Sequence, residues 1–148
     1  MRAFRNWGLL CLLITGSVYA EQRAGVEDAH RARVNYMLNC QGCHGAEGAG
    51  TIDGVVPVMK DFVGRFLSVE GGREFLVQVP GSANAALSDA ALAEVLNWML
   101  PQLSPRQIPV DFEPYTEEEV GRLRQHPLEN VIAVRAKLIA KMTQPRRD

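Results

Sequence analysis

The chain has 148 residues, 47% of them hydrophobic and 22% charged, with a formal net charge of −1 and three cysteines. That length suits one compact domain with an appendage and excludes a large multidomain enzyme, while the apolar content excludes a disordered chain. No basic run longer than Arg146-Arg147 is present to neutralise phosphates, so nucleic acid is not expected as a partner.

Residues 1–20, MRAFRNWGLLCLLITGSVYA, carry Arg2 and Arg5, then an apolar run over 7–14, then Ala20 at the expected cut. This is the pattern of a secretory signal peptide, and its apolar core is too short to anchor in a bilayer. Leu10 precedes Cys11, where a lipoprotein would place Gly or Ala, so Cys11 is expected to leave with the leader. Cleavage after Ala20 leaves 14 basic and 17 acidic residues, a net −3, with Cys40 and Cys43 as the remaining cysteines. The expectation is a periplasmic protein with no membrane anchor after cleavage.

After a short tail over 21–25, helical spacing predicts a helix over 26–39, with Ala29, Ala32, Tyr36 and the Arg33 stem on one face. It delivers Cys40. Residues 40–44 read Cys-Gln-Gly-Cys-His, the C-x-x-C-H signature of covalent haem attachment. Two thiols two residues apart in a helical turn reach the two vinyl groups at one haem edge. The next residue, His44, then places its imidazole under the iron as proximal ligand. A zinc site needs four ligands, and His30 and His126 lack ligand-pair spacing. A redox-active dithiol would need a βαβ setting that the sequence does not offer. One such motif means one haem c with its iron.

Residues 42–54 hold five glycines and read as a loop over the haem edge; no Gly-Lys-Ser/Thr follows to make it a phosphate loop. Two short helices are predicted over 60–67 and 72–79, and Phe62, Val63, Phe66, Leu67, Phe75 and Leu76 are expected to line the haem pocket or the core. Pro80-Gly81 should end the second. Ser88 reads as an N-cap, with Leu87 and Leu92 as its staple, for a helix that stops at Pro101. Four prolines between 101 and 114 predict a stiff extended connector. Thr116 and Glu119 form a capping box with Tyr115 and Val120 as staple, and Pro127 should open a last helix whose apolar face runs through Leu128, Val131, Val134 or the Arg135 stem, Leu138, Ile139 and Met142. The division expected is signal peptide 1–20, haem domain 21–100, and a connector with helical extension over 101–148. The extension is either a clasp on the haem domain or a docking surface.

At the pentapeptide the chain resembles the small monohaem cytochromes c. Ala32 and Tyr36 stand eight and four residues before Cys40, where that family places a small residue and an aromatic at a helix crossing. Val56-Pro57-Val58-Met59 resembles the stretch whose proline carbonyl holds the proximal imidazole, and residues 87–100, with Trp98, resemble the terminal helix. The resemblance implies an all-α cytochrome c-like domain around one covalent haem, with a C-terminal helical extension. It also implies that Cys40, Cys43, His44, Pro57, Met59 and Trp98 contact the cofactor.

The family's sixth iron ligand is a methionine from the loop before the terminal helix, and residues 79–86 contain neither Met nor His. Met59 is the tentative distal ligand; His126 and Asn84 are weaker candidates, and a vacant or water-filled position is the foremost single outcome. Met37 and Met99 are expected in the core. The function expected is a one-electron carrier, or the electron-transfer subunit of an exported oxidoreductase, rather than an enzyme. Its partner would be an exported dehydrogenase, oxidase or reductase with a basic docking patch. The alternative is a haem-based sensor or small-gas-binding protein. A peroxidase would need a distal acid/base and Arg that the sequence does not place.

Overall fold

The computed structural model describes residues 24–143, so the signal peptide, Cys11 and the cut after Ala20 lie outside the described residues. Helices α1 (Ala29–Asn39), α2 (Gln41–His44), α3 (Gly72–Gln78), α4 (Pro80–Ala83), α5 (Asp89–Leu103), α6 (Glu117–Leu123) and α7 (Val131–Thr143) follow one another, with 3-10 turns at Val63–Ser68 and Pro105–Gln107. There is no strand among the described residues, and no helix among them is long and apolar enough to cross a membrane. The all-α expectation holds.

α1 begins at Ala29, later than its periodicity suggested, because the Asp28 carboxylate accepts from the His30 and Arg31 N–H groups and caps the helix there. Its inner face is Ala32 and Tyr36, 0% and 1% exposed, while Ala29 and Arg33 are exposed. A small residue lets α5 cross closely, and the Tyr36 ring meets Trp98 with centroids 5.6 Å apart. The Tyr36 hydroxyl donates to the Gly45 carbonyl at 2.9 Å, so the same side chain also ties α1 to the turn after His44.

The sequence reading holds for Pro80 and fails for Pro101. α3 ends at Gln78, just before Pro80, and Pro80 then opens α4, since an N1 position needs no N–H and suits a fixed φ. α5 runs through Pro101 to Leu103, because the donor lost lies in its last turns and burial of Leu100 and Leu103 outweighs one missing bond. The Pro-rich connector therefore starts late and folds partly into the 3-10 turn at Pro105–Gln107. Ser88 caps α5 through Ala91 N–H as expected. Thr116 caps α6 through Glu119 N–H, but the Glu119 carboxylate turns to Arg73 rather than back to the cap. α7 starts at Val131, after Pro127, because the Asn130 side chain accepts from Ala133 N–H. The stretch over 60–67 forms the tighter 3-10 turn at Val63–Ser68.

Residues 101–143 share the core. Tyr115, Val120 and Leu138 are buried in the same cluster as Tyr36, Phe66 and Leu96. Asn97, 2% exposed, accepts from Tyr115 N–H at 2.8 Å and donates to the Tyr115 and Gly25 carbonyls, each at 3.0 Å. Arg73 stacks 4.0 Å over the Tyr115 ring and makes a bidentate pair with Glu119. Arg124 donates to the carbonyls of Ala83, Ala85 and Leu87 and to the Asp89 carboxylate. This is the clasp of the two readings offered for the extension.

Glu94, 5% exposed on α5, accepts from Glu27 and Asp28 N–H and from the Arg31 guanidinium. Burial opposes its charge, but the Arg31 bond and the two backbone donors outweigh that and hold the carboxyl below its ordinary 4.5. A depressed carboxyl contributes stability above the unfolded value, and the contribution is lost as pH falls through the folded one. The stability difference between the wild-type protein and Glu94→Gln, measured by urea unfolding, should therefore be full at pH 6 and shrink steadily below about 4.5. A difference independent of pH would contradict this.

Candidate functional site

The α1–α5 crossing sets Cys40 at the end of α1 and Cys43 and His44 on the single turn of α2. All three line a cavity of about 340 Å³. Its other walls are the 55–59 loop, Val63 and Phe66, then Phe75 to Ser82 across α3 and α4, then Leu92 to Met99 of α5, and Val131 and Arg135 of α7. Both thiols are free. Burial, and after it the neighbouring Cys43, pushes the Cys40 thiol up. A redox-active C-x-x-C is favoured by the opposite, a thiol depressed toward the thiolate. Among the described residues no three His, Cys, Asp or Glu side chains converge as a metal cage, which removes the zinc reading.

Burial holds the His44 imidazole below its ordinary value, and the Pro57 carbonyl offsets this in part. The ring's Nδ1 is buried and completes no hydrogen bond. A buried imidazole nitrogen needs an acceptor, and the Pro57 carbonyl is the neighbouring group that acts on this ring, which leaves the other ring nitrogen for a ligand. Two thiols and this imidazole on one wall of an apolar cavity fit a covalently held haem.

Pro57 reaches His44 because the two loops are stitched together. Gly50 N–H donates to the His44 carbonyl at 3.0 Å, Thr51 N–H to Val56 at 3.0 Å and Met59 N–H to Gly48 at 2.7 Å. Gly50 has φ +69°, and a Cβ there would meet the Val56 carbonyl and lie 2.8 Å from the Pro57 carbonyl carbon, so glycine is required for the approach.

The structure gathers Cys40, Cys43, His44, Pro57 and Met59 around the cavity. Trp98 is not among the lining residues; its side chain serves the crossing with Tyr36. Val63, Phe66, Phe75 and Leu76 line the cavity, whereas Phe62 and Leu67 pack behind them. Met99 is buried and lines the cavity as well, while Met37, expected in the core, is 47% exposed. His30, His126 and Asn84 are exposed and do not reach the cavity. Val131 and Arg135, read from the sequence only as the face of the last helix, also line the cavity. The available signal was a permanent charge four residues after Val131 on an apolar helical face.

No family model matches the chain, and no solved structure matches it. Two curated relatives do. A protein named cytochrome c-552 in Thermus thermophilus is 31% identical over an alignment of 150 positions, covering 88% of this chain and 95% of that protein. Another cytochrome c-552 of Thermus thermophilus is 34% identical over 119 positions, covering 67% of this chain and 90% of that protein. With the attachment motif on the wall of an apolar cavity in an all-helical fold, this likeness over nearly the whole chain identifies it as a member of the small c-type cytochromes, proteins with covalently bound haem c.

Proposed function

We propose that the protein is an exported one-electron carrier, or the electron-transfer subunit of an exported oxidoreductase, whose haem is held by Cys40 and Cys43 through thioethers and by His44 at the iron. The observation that carries this reading is the convergence of both thiols and the His44 ring on one apolar cavity. A haem bound there supplies one-electron cycling of its iron. The chain's own residues do the rest. The buried aromatic and aliphatic walls exclude water, and the Pro57 carbonyl, which acts on the His44 ring, would accept its Nδ1–H, fixing the tautomer and raising the basicity of the ligating nitrogen. Export follows from residues 1–20, and the net −3 charge of the mature chain favours a partner with a basic docking patch.

One observation favours a second reading, binding of a small neutral ligand at the sixth iron position. The α3–α4 wall, Phe75 to Ser82, presents neither thioether nor imidazole. Met59 is stitched to the loop that follows His44, which argues against its reaching the opposite face of the ring.

Potentiometric titration of the full holoprotein should give one reversible one-electron transition. Carbon monoxide added to the reduced form then separates the readings: a rapid Soret shift supports an open sixth position, and no shift supports a six-coordinate carrier. Absence of a reversible transition would overturn the carrier reading.

Gly50→Ala and Gly54→Ala both place a side chain at positive φ, but only Gly50 has atoms in the way, for nothing lies within 4 Å of a Cβ at Gly54. Each should lose about 1–2 kcal/mol to the left-handed backbone, with a further loss for Gly50→Ala. A change in reduction potential is expected in Gly50→Ala alone, since the Pro57 carbonyl must move there. Equal stability losses and unchanged potentials in both variants would contradict the role given to Pro57.

A further inference from the structure

We infer that Arg135, carried into the cavity wall by the C-terminal extension, is the cationic partner of a haem propionate; this rests on the haem reading above. Haem carries two carboxylates, and a carboxylate at the rim of an apolar cavity is stable as an anion only beside a cation or a set of donors. Among the described residues Arg135 is the one that lines the cavity with a permanent charge.

Arg135 is half-buried and forms no ion pair with any described residue, whereas Arg73, Arg106 and Lys141 each do. On α3, packed against α7, Arg73 is held by Glu119 and Glu74 is exposed; on α7 itself Lys141 reaches Glu70 and Lys137 is exposed. Arg106 of the neighbouring 3-10 turn pairs with Asp61. The Arg135 guanidinium lies over the Phe62 ring, 5.5 Å from its centroid, and makes no hydrogen bond to a described residue, so its N–H groups are open to a planar carboxylate. Arg65 approaches the same ring at 5.3 Å but does not line the cavity, so it serves as an internal control. Val131 and Arg135 stand four residues apart, hence on one face of α7, and both reach the cavity. The apolar face of the extension closes the cavity and brings its counter-charge with it.

The test is the pH dependence of the reduction potential in the full holoprotein and in Arg135→Gln, Arg135→Lys and Arg65→Gln. A propionate that loses a cationic neighbour titrates higher, by about 1–3 pH units for an opposite charge at contact distance. The bend in the potential-versus-pH curve should move up by that amount in Arg135→Gln and by less in Arg135→Lys. It should stay in place in Arg65→Gln. Coincident curves for Arg135→Gln and the parent protein, at normal haem content, would overturn the inference. So would an equal shift in Arg65→Gln, or an unchanged curve accompanied by altered carbon monoxide affinity, which would put Arg135 at the iron instead. A parent protein without covalent haem would contradict the attachment reading itself, a failure visible before any variant is titrated.

Discussion

The crossing of α1 over α5 is the constraint on which the site depends. Ala32 lets the helices approach, Tyr36 and Trp98 set the contact, and Glu94 locks the start of α1 through its backbone donors and Arg31. Because Cys40 ends α1 and the cavity wall from Leu92 to Met99 belongs to α5, the distance between thiols and wall is set by this one packing contact. Tyr36 adds a hydroxyl bond to Gly45, so the same residue also fixes the turn that carries His44. A small side chain and an aromatic four residues later thereby determine where the attachment chemistry faces.

The second constraint is the extension. An 88% span of a 148-residue chain leaves about 18 residues outside the alignment, so most of the extension falls within the likeness to the 31% identical cytochrome c-552. Its role in the fold is to complete a wall. The segment before α5 is short and poor in side chains, and Arg124 takes up its carbonyls at Ala83, Ala85 and Leu87. Leu128 N–H adds a bond to Gln78 at 2.9 Å. A helix from the far end of the chain supplies Val131 and Arg135 to that wall. The desolvated arginine donors and shared core make this a structural element rather than a free arm.

Legibility in the sequence followed the range of the interaction. C-x-x-C-H, the Ser88 and Thr116 caps and the Ala32/Tyr36 face are local patterns, set within a few residues, and the structure displays them. Pro101 was misread because a proline's effect depends on which turn of a helix it occupies, and that depends on burial of Leu100 and Leu103. Arg73, Arg124 and Arg135 bind partners 35 or more residues away or enter a remote cavity wall, and no spacing rule marks them. Met37 sits in an apolar helical pattern yet is exposed beside Val34 and Leu38, and nothing in the structure accounts for that.

The central claim is that Cys40 and Cys43 each bond one haem while His44 faces its iron. The most direct measurement is the mass of the proteolytic peptide spanning residues 40–44, released from the holoprotein under denaturing conditions. Covalent attachment predicts that this peptide carries the mass of one haem, with neither thiol alkylatable. A peptide of unmodified mass, with both thiols reactive or joined in a disulfide, would contradict it.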